Sequence, residues 1–293
     1  MVGKRSILFM VSMLALILFS GISSAQMTGT INGVEEAVGT SGKVDWTTGL
    51  ITAVGIGAPP AQPVNPAQAR GMAERAAQVV ALRNLLESVK GVRVDSTTTV
   101  ENFIVTSDII RTQVNGFVQG STIMDKKYLS DGSVEITVGM YIKGALLDTL
   151  LPPKSATPPV PLVPGVEPGA APGTPPATPG IAYTGLIVDA RGLGVRPAMA
   201  PKILNEDGKE VYGSAWINRE YAVREGMVGY LKDPVAAQAN PRVTDKPLMV
   251  KAAKVTGENR VDLVILNADA TKIHGMSENL SFLEKCRVIV LVD

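Results

Sequence analysis

Residues 65–91, NPAQARGMAERAAQVVALRNLLESVKG, decide the fold class. Asn65 stands where a helix cap belongs, Pro66 falls in the first turn, Gln68 occupies the capping-box position and Gly91 follows the last periodic residue. Between these signals Met72, Ala76, Val79, Leu82, Leu86 and Val89 recur at three- and four-residue steps, and Ala69, Ala73, Ala77 and Val80 widen the same face. The spacing predicts a helix over 66–90 with that face buried. Its first half is mostly alanine, so the helix axis can lie close to a sheet, and Gly71 is tolerated at a cost of about 1 kcal/mol against alanine. Arg70 with Glu74, and Arg83 with Glu87, are i,i+4 pairs suited to the solvated side.

Upstream, 46–57 reads WTTGLITAVGIG, a β-branched run ending in Gly-Ile-Gly-Ala-Pro-Pro, which predicts a strand and then a loop. Gly55 and Gly57 invite a phosphate-loop reading, but Pro59, Pro60 and Pro63 stand where the helix of such a loop would begin, and the pair is read as structural. Residues 26–43 are polar and glycine-rich without periodicity, so a flexible lead-in is expected, with order beginning near Val44. Downstream come a short strand at 92–94, a Thr-rich segment to Phe103, and a second helix over 107–117 capped by Ser107, with Ile109, Ile110, Val114 and Phe117 on one side. Segments 121–129 and 133–142 flank Asp131-Gly132, a strong hairpin signal, and a short helix at 146–151 closes the module. This order predicts an α+β domain at 44–151, with helices on one face of a largely antiparallel sheet.

Eleven of the chain's 20 prolines fall in 152–180. Each fixes φ and removes a backbone donor, so an extended linker is expected, reaching at most ~90 Å at the polyproline rise. The two modules it joins, 44–151 and 181–293, would then be loosely tethered. In the second, strands are expected at 183–189, 248–255 and 261–266, and a hairpin at 203–211 turning on Asp207-Gly208. A weak helix at 217–231 and short helices capped by Asn267 and Ser277 follow from the same reading. The unbroken apolar run 288–292 predicts a central strand and a βαβ ending, giving an α+β or α/β module.

Lys4 and Arg5, the apolar run 7–19 and Ser23-Ser24-Ala25 read as a secretory signal peptide over 1–25, with an uncleaved anchor helix as the alternative. Export to the periplasm or beyond the cell is expected, with Gln26 as the mature N-terminus and no cysteine nearby to take a lipid. Formal charge is +1, and −1 once Lys4 and Arg5 leave with the leader, while aromatic residues make up only 4%. There is no electrostatic footprint for phosphate and little material for stacking platforms, which argues against a nucleic-acid partner.

Cys286 is the only cysteine and His274 the only histidine, so neither a disulfide nor a multi-histidine metal site can form within the chain, and no cofactor is expected. His274 reads as a helix-end residue and Cys286 as a small buried hydrophobe. The most suggestive polar cluster is Asp189-Ala190-Arg191-Gly192-Leu193-Gly194. It lacks the third glycine of a dinucleotide fingerprint, and a turn braced by an Asp189–Arg191 ion pair is the favoured reading. Neither Gly-x-Ser-x-Gly nor Ser-x-x-Lys occurs.

Three segments carry a family resemblance: Val44-Asp45-Trp46-Thr47 with Ala53-Val54-Gly55-Ile56-Gly57; the helix from Ala69-Arg70 to Arg83-Asn84-Leu85-Leu86; and Gly91-Val92-Arg93-Val94-Asp95 leading to Val100-Glu101-Asn102. Over 44–150 the chain resembles the Lpp-twenty-type lipoprotein domain of the bacterial envelope, and is similar to the N-terminal domain of flagellar assembly protein T. Lipoprotein members carry a lipobox cysteine, which this sequence lacks. The resemblance implies a non-enzymatic envelope protein of structural, assembly or protein-binding type, peripherally associated with the outer membrane, with other envelope proteins or further copies of itself as partners. The alternative is a periplasmic ligand-binding protein or enzyme with a site near Asp189, Arg191 and His274. An unpaired sheet edge or apolar strip would favour the first, and a deep pocket with converging polar groups the second.

Overall fold

The computed structural model describes residues 33–63, 65–152, 182–275 and 277–293, which belong to one compact unit. The expected signal peptide at 1–25 and nearly all of the proline-rich linker fall outside the described residues.

The first module runs β1 (Glu35–Val38), β2 (Gly42–Asp45), β3 (Leu50–Gly57), α1 (Pro66–Lys90), α2 (Val100–Thr106), α3 (Asp108–Gln119), β4 (Thr122–Tyr128), β5 (Val134–Tyr141) and α4 (Ala145–Leu150). Its strands form one antiparallel sheet in the order β1-β2-β3-β5-β4. Two strands thus arise where a structureless lead-in and a single long strand were expected. The cause is local: the Asp45 carboxylate accepts from the amides of Thr47 and Thr48, and Gly49 takes a φ of 72°, so the chain turns back on itself before β3. The expected strand at 92–94 is only a bridge between Arg93 and Thr99, and the Thr-rich segment feeds the extra helix α2.

α1 has the predicted bounds, and Asn65 Oδ1 accepts from Gln68 N at 2.8 Å. The buried face differs from the expected one. Ala73, Ala77, Ala81, Leu85, Ser88 and Val89 face inward, while Met72 and Val79 are 47% and 59% exposed. Gly55 and Gly57 cause this rotation. A Cβ at Gly55 would lie 2.2 Å from Ala81 N and 2.4 Å from Ala77 O, and one at Gly57 would lie 2.2 Å from Ala73 O. The helix backbone therefore rests on the strand backbone, which only the alanine stripe at i,i+4 spacing permits. The two glycines are packing residues, as read from sequence.

The second module runs β6 (Gly185–Asp189), β7 (Ile203–Leu204), β8 (Glu210–Tyr212), α5 (Arg219–Glu225), β9 (Gly229–Leu231), α6 (Pro234–Gln238), β10 (Pro247–Thr256), β11 (Asp262–Ile265), α7 (Asn267–His274), α8 (Ser277–Glu284) and β12 (Val288–Leu291). Its mixed sheet has the order β8-β7-β11-β10-β6-β12-β9, with β12 buried throughout as expected of a central strand. The predicted weak helix is confined to α5, because Gly226, with a φ of 83°, ends it before β9. The βαβ ending is corrected. β10 and β11 form an antiparallel hairpin, while β10, β6 and β12 are mutually parallel, so β11 and β12 run in opposite directions.

The modules are not loosely tethered. One hydrophobic cluster runs through both, from Val44, Leu85 and Leu147 to Met227, Tyr230 and Leu283. Backbone bonds cross as well, from Met199 N to Arg93 O (3.0 Å), Ala200 N to Val94 O (2.7 Å) and Gly144 N to Val223 O (2.7 Å). The 92–94 segment, short of a strand partner in its own sheet, finds donors for its carbonyls in the second module.

Candidate functional site

The structure brings two of the three sequence-derived candidates together. Arg191 donates from Nε and Nη2 to the Asp189 carboxylate at 2.9 and 2.7 Å, and its own amide donates to Asp189 Oδ1 at 3.2 Å. The side-chain hydrogen bond from Arg191 holds the Asp189 carboxyl below its ordinary value. With Gly192 N donating to Asp293 Oδ1 at 2.7 Å, the charges here are spent on closing the turn after β6.

His274 stands elsewhere. It ends α7 against β8, four strand positions from β6 and so on the order of 19 Å away. It is at the helix end, as expected, but its ring turns into the core: 3% exposed, tilted against Trp216 at 4.3 Å between centroids, with Nε2 donating to Val211 O at 2.9 Å. Burial lowers its pKa, outweighing the bond to Val211. Cys286 is fully buried, and burial pushes its thiol up to about 11, which leaves it a poor nucleophile. Among the described residues no group of three or more His, Cys, Asp or Glu side chains could hold a metal ion.

Two open features stand out among the described residues. The first is the β4 edge, where all seven residues are exposed, and the bulge between Ile123 and Asp125 lays Met124 over Gly139. Exposed apolar side chains gather in this module: ten of the thirteen large ones among the described residues lie between Ile56 and Tyr141. The inner side of the edge is tied to α1, with Lys126 and Tyr128 both donating to Glu74 at 2.8 and 2.7 Å. The outer side has no strand beside it among the described residues.

The second feature is a cleft of about 520 Å³ between the modules, walled by Trp46, Ile142 and Leu147 on one side and by Met199, Met227 and Tyr230 on the other. Lys143, Arg224, Arg242, Lys285 and Arg287 bring cations to it. Sequence reading missed this grouping because its members come from four separate segments with no shared motif. The only local hint is Lys285-Cys286-Arg287, where a buried small residue sits between two bases.

These observations define the class: a two-module α+β protein with a packed core common to both modules, a fully exposed edge strand β4 and a basic cleft. Residues 42–140 match the LPP20 lipoprotein family, and residues 185–293 match the family described as the second domain of Treponema pallidum Tp0624. The first match carries the resemblance to a lipoprotein domain of the bacterial envelope; neither match shows the likeness to flagellar assembly protein T. No curated protein matches this chain. Among the described residues no helix is long and apolar enough to cross a membrane.

Proposed function

We propose that this chain is an exported, non-enzymatic protein of the cell envelope, periplasmic or extracellular, that acts as a structural, assembly or protein-binding module. The observation that carries the reading is the β4 edge: seven exposed residues on a strand with one free side, in the module that holds ten of the thirteen exposed large apolar side chains among the described residues. An extended segment of another envelope protein can add there as a sixth strand, its side chains alternating against Met124 and Leu129. Lys126 and Lys127 on the same strand discourage indiscriminate pairing, which is how edges are kept selective. The match to a lipoprotein family supports the envelope setting, and peripheral attachment to the outer membrane would follow from the partner. The alternative site at Asp189, Arg191 and His274 gains no support, since the first two neutralise each other and the third is buried in the core.

The test is photo-crosslinking in cells. A photoreactive residue at Met124 should give a defined adduct with an envelope protein, and the same residue at exposed Lys254 on β10 should not. Adducts from neither position, or full complementation of a deletion strain by a protein carrying Ile123→Lys and Met124→Glu, would overturn the proposal.

A further inference from the structure

The cleft between the modules has a charge imbalance that the fold does not explain. Five cationic side chains line it against a single carboxylate, Glu225, and that carboxylate is already claimed by Arg224 at 3.0 Å. Arg242 donates only to backbone carbonyls: Nη1 to Gly226 O at 3.1 Å and Cys286 O at 2.7 Å, and Nη2 to Glu225 O. Carbonyl dipoles hold the guanidinium in place without cancelling its charge. Burial lowers the pKa of Arg242, the direction for a cation set among neutral partners. Its Nε has no acceptor among the described residues and lies over Gly229, where an added Cβ would come within 3.1 Å of it. Lys285 and Arg287 are half-buried on the same wall and have no ion-pair partner among the described residues.

Cations converging on a partly desolvated cleft repel one another and focus a positive potential, and a chain with a net charge near zero gains nothing from such crowding unless an anion enters. The remaining lining mixes polar residues, among them Thr47, Thr48 and Asn240, with apolar ones. Trp46, Ile142, Leu147, Met199 and Met227 share the lining with the bases, so the cleft offers both cationic and apolar contacts. Its volume is that of an ordinary small-molecule site.

We propose that this cleft binds an amphipathic anion, a small molecule that presents a carboxylate or phosphate to Arg242, Lys285 and Arg287 and lays an apolar body against Trp46, Ile142 and Met227. The carboxylate and phosphate forms share the chemistry of recognition: paired oxygens accepting charge-assisted hydrogen bonds from guanidinium and ammonium donors. Because the two walls come from different modules, the ligand would also bridge them and strengthen their packing. The site lies apart from the β4 edge and stands or falls independently of it.

Calorimetric titration of the full chain with octyl phosphate, octanoate and octyl glucoside, all below their micelle concentrations, tests the proposal and separates the two head groups. Saturable one-site binding is expected for octyl phosphate, octanoate or both, and not for the neutral glucoside. Lys285→Glu with Arg287→Glu should weaken that binding about tenfold or more, whereas Lys254→Glu with Lys251→Glu, equal in charge but on the exposed side of β10, should leave it unchanged. Binding of the glucoside as tight as that of the anions, equal weakening by both pairs of substitutions, or no binding of any probe would overturn the assignment. Should the Lys285 and Arg287 variant fail to fold, salt decides on the wild-type chain. Affinity for the anions must fall as ionic strength rises, and a salt-independent affinity overturns the site.

Discussion

Glu36 accepts both ends of the Arg93 guanidinium across 57 residues of chain: Nη1 lies 2.9 Å from Oε1, and Nη2 donates to Oε2. Arg93 is 4% exposed, and its remaining Nε donates to Pro197 O at 2.9 Å, so this one pair ties β1 to the loop before α2 and both to the second module. Trp46 Nε1 and Arg196 Nη2 add donors to the same carboxylate at 3.1 and 3.2 Å. Removing the carboxylate strands a buried guanidinium. Glu36→Gln is expected to destabilise the protein by about 3 kcal/mol, measured by urea unfolding.

The same pair sets an acid limit on stability. Burial raises the Glu36 carboxyl, but the hydrogen bonds and charge of Arg93, with Trp46 and Arg196, outweigh it and leave the pKa below its ordinary 4.5. A carboxyl depressed in the folded state contributes stability that is complete above the unfolded value and is lost as pH falls through the folded one. Unfolding free energy should therefore drop below about pH 4.5 more steeply in the wild type than in Glu36→Gln. Parallel slopes in the two proteins would contradict the assignment.

Two glycines should respond in opposite ways to the same substitution. Gly55→Ala puts a Cβ 2.2 Å from the backbone of α1, forcing strand and helix apart, and a loss of about 3 kcal/mol is expected. Gly71 lies in the exposed interior of α1 with nothing within 4 Å of an added Cβ, so Gly71→Ala should gain about 1 kcal/mol. Thermal melts of the two variants decide the matter.

His274→Ala should cost about 2 to 3 kcal/mol, well above the loss of a helix-end interaction, because it empties a buried space beside Trp216 and leaves Val211 O without its donor. Its lowered pKa means that the folded state binds a proton less readily than the unfolded one. The stability it contributes is complete above about pH 6.5 and declines as pH falls through 6.5 toward the folded value. A stability drop between pH 7 and 5 that persists unchanged in His274→Phe would show that another group is responsible.

Cleaving the chain at a protease site introduced between residues 152 and 182 should leave the two halves associated. The common hydrophobic cluster, the Arg93 bond to Pro197 and the bond from Thr47 Oγ1 to Tyr230 O (3.1 Å) all cross the interface without help from the linker. Gel filtration of the cleaved protein reads the outcome. Separate elution of the halves at micromolar concentration would mean that the linker, and not the packing, keeps them together.

Asn65, Pro66 and Gly91 announced α1 to the residue, and Asp131-Gly132 and Asp207-Gly208 announced their hairpins, because caps and tight turns are decided by atoms a few residues apart. The alanine-rich half of that helix also foretold close contact with a sheet. Tertiary structure decided which stripe of α1 faces inward: Gly55 and Gly57 leave room for backbone, and backbone contact outweighs burying Met72 and Val79. It likewise turned Glu36, in a stretch with no periodicity of its own, into the counter-charge of a buried arginine, and it gathered Lys143, Arg242, Lys285 and Arg287 around one cleft. No local pattern encodes either outcome, since both depend on residues that meet only after two modules have packed, and charge and shape complementarity act through space with no regard for distance along the chain.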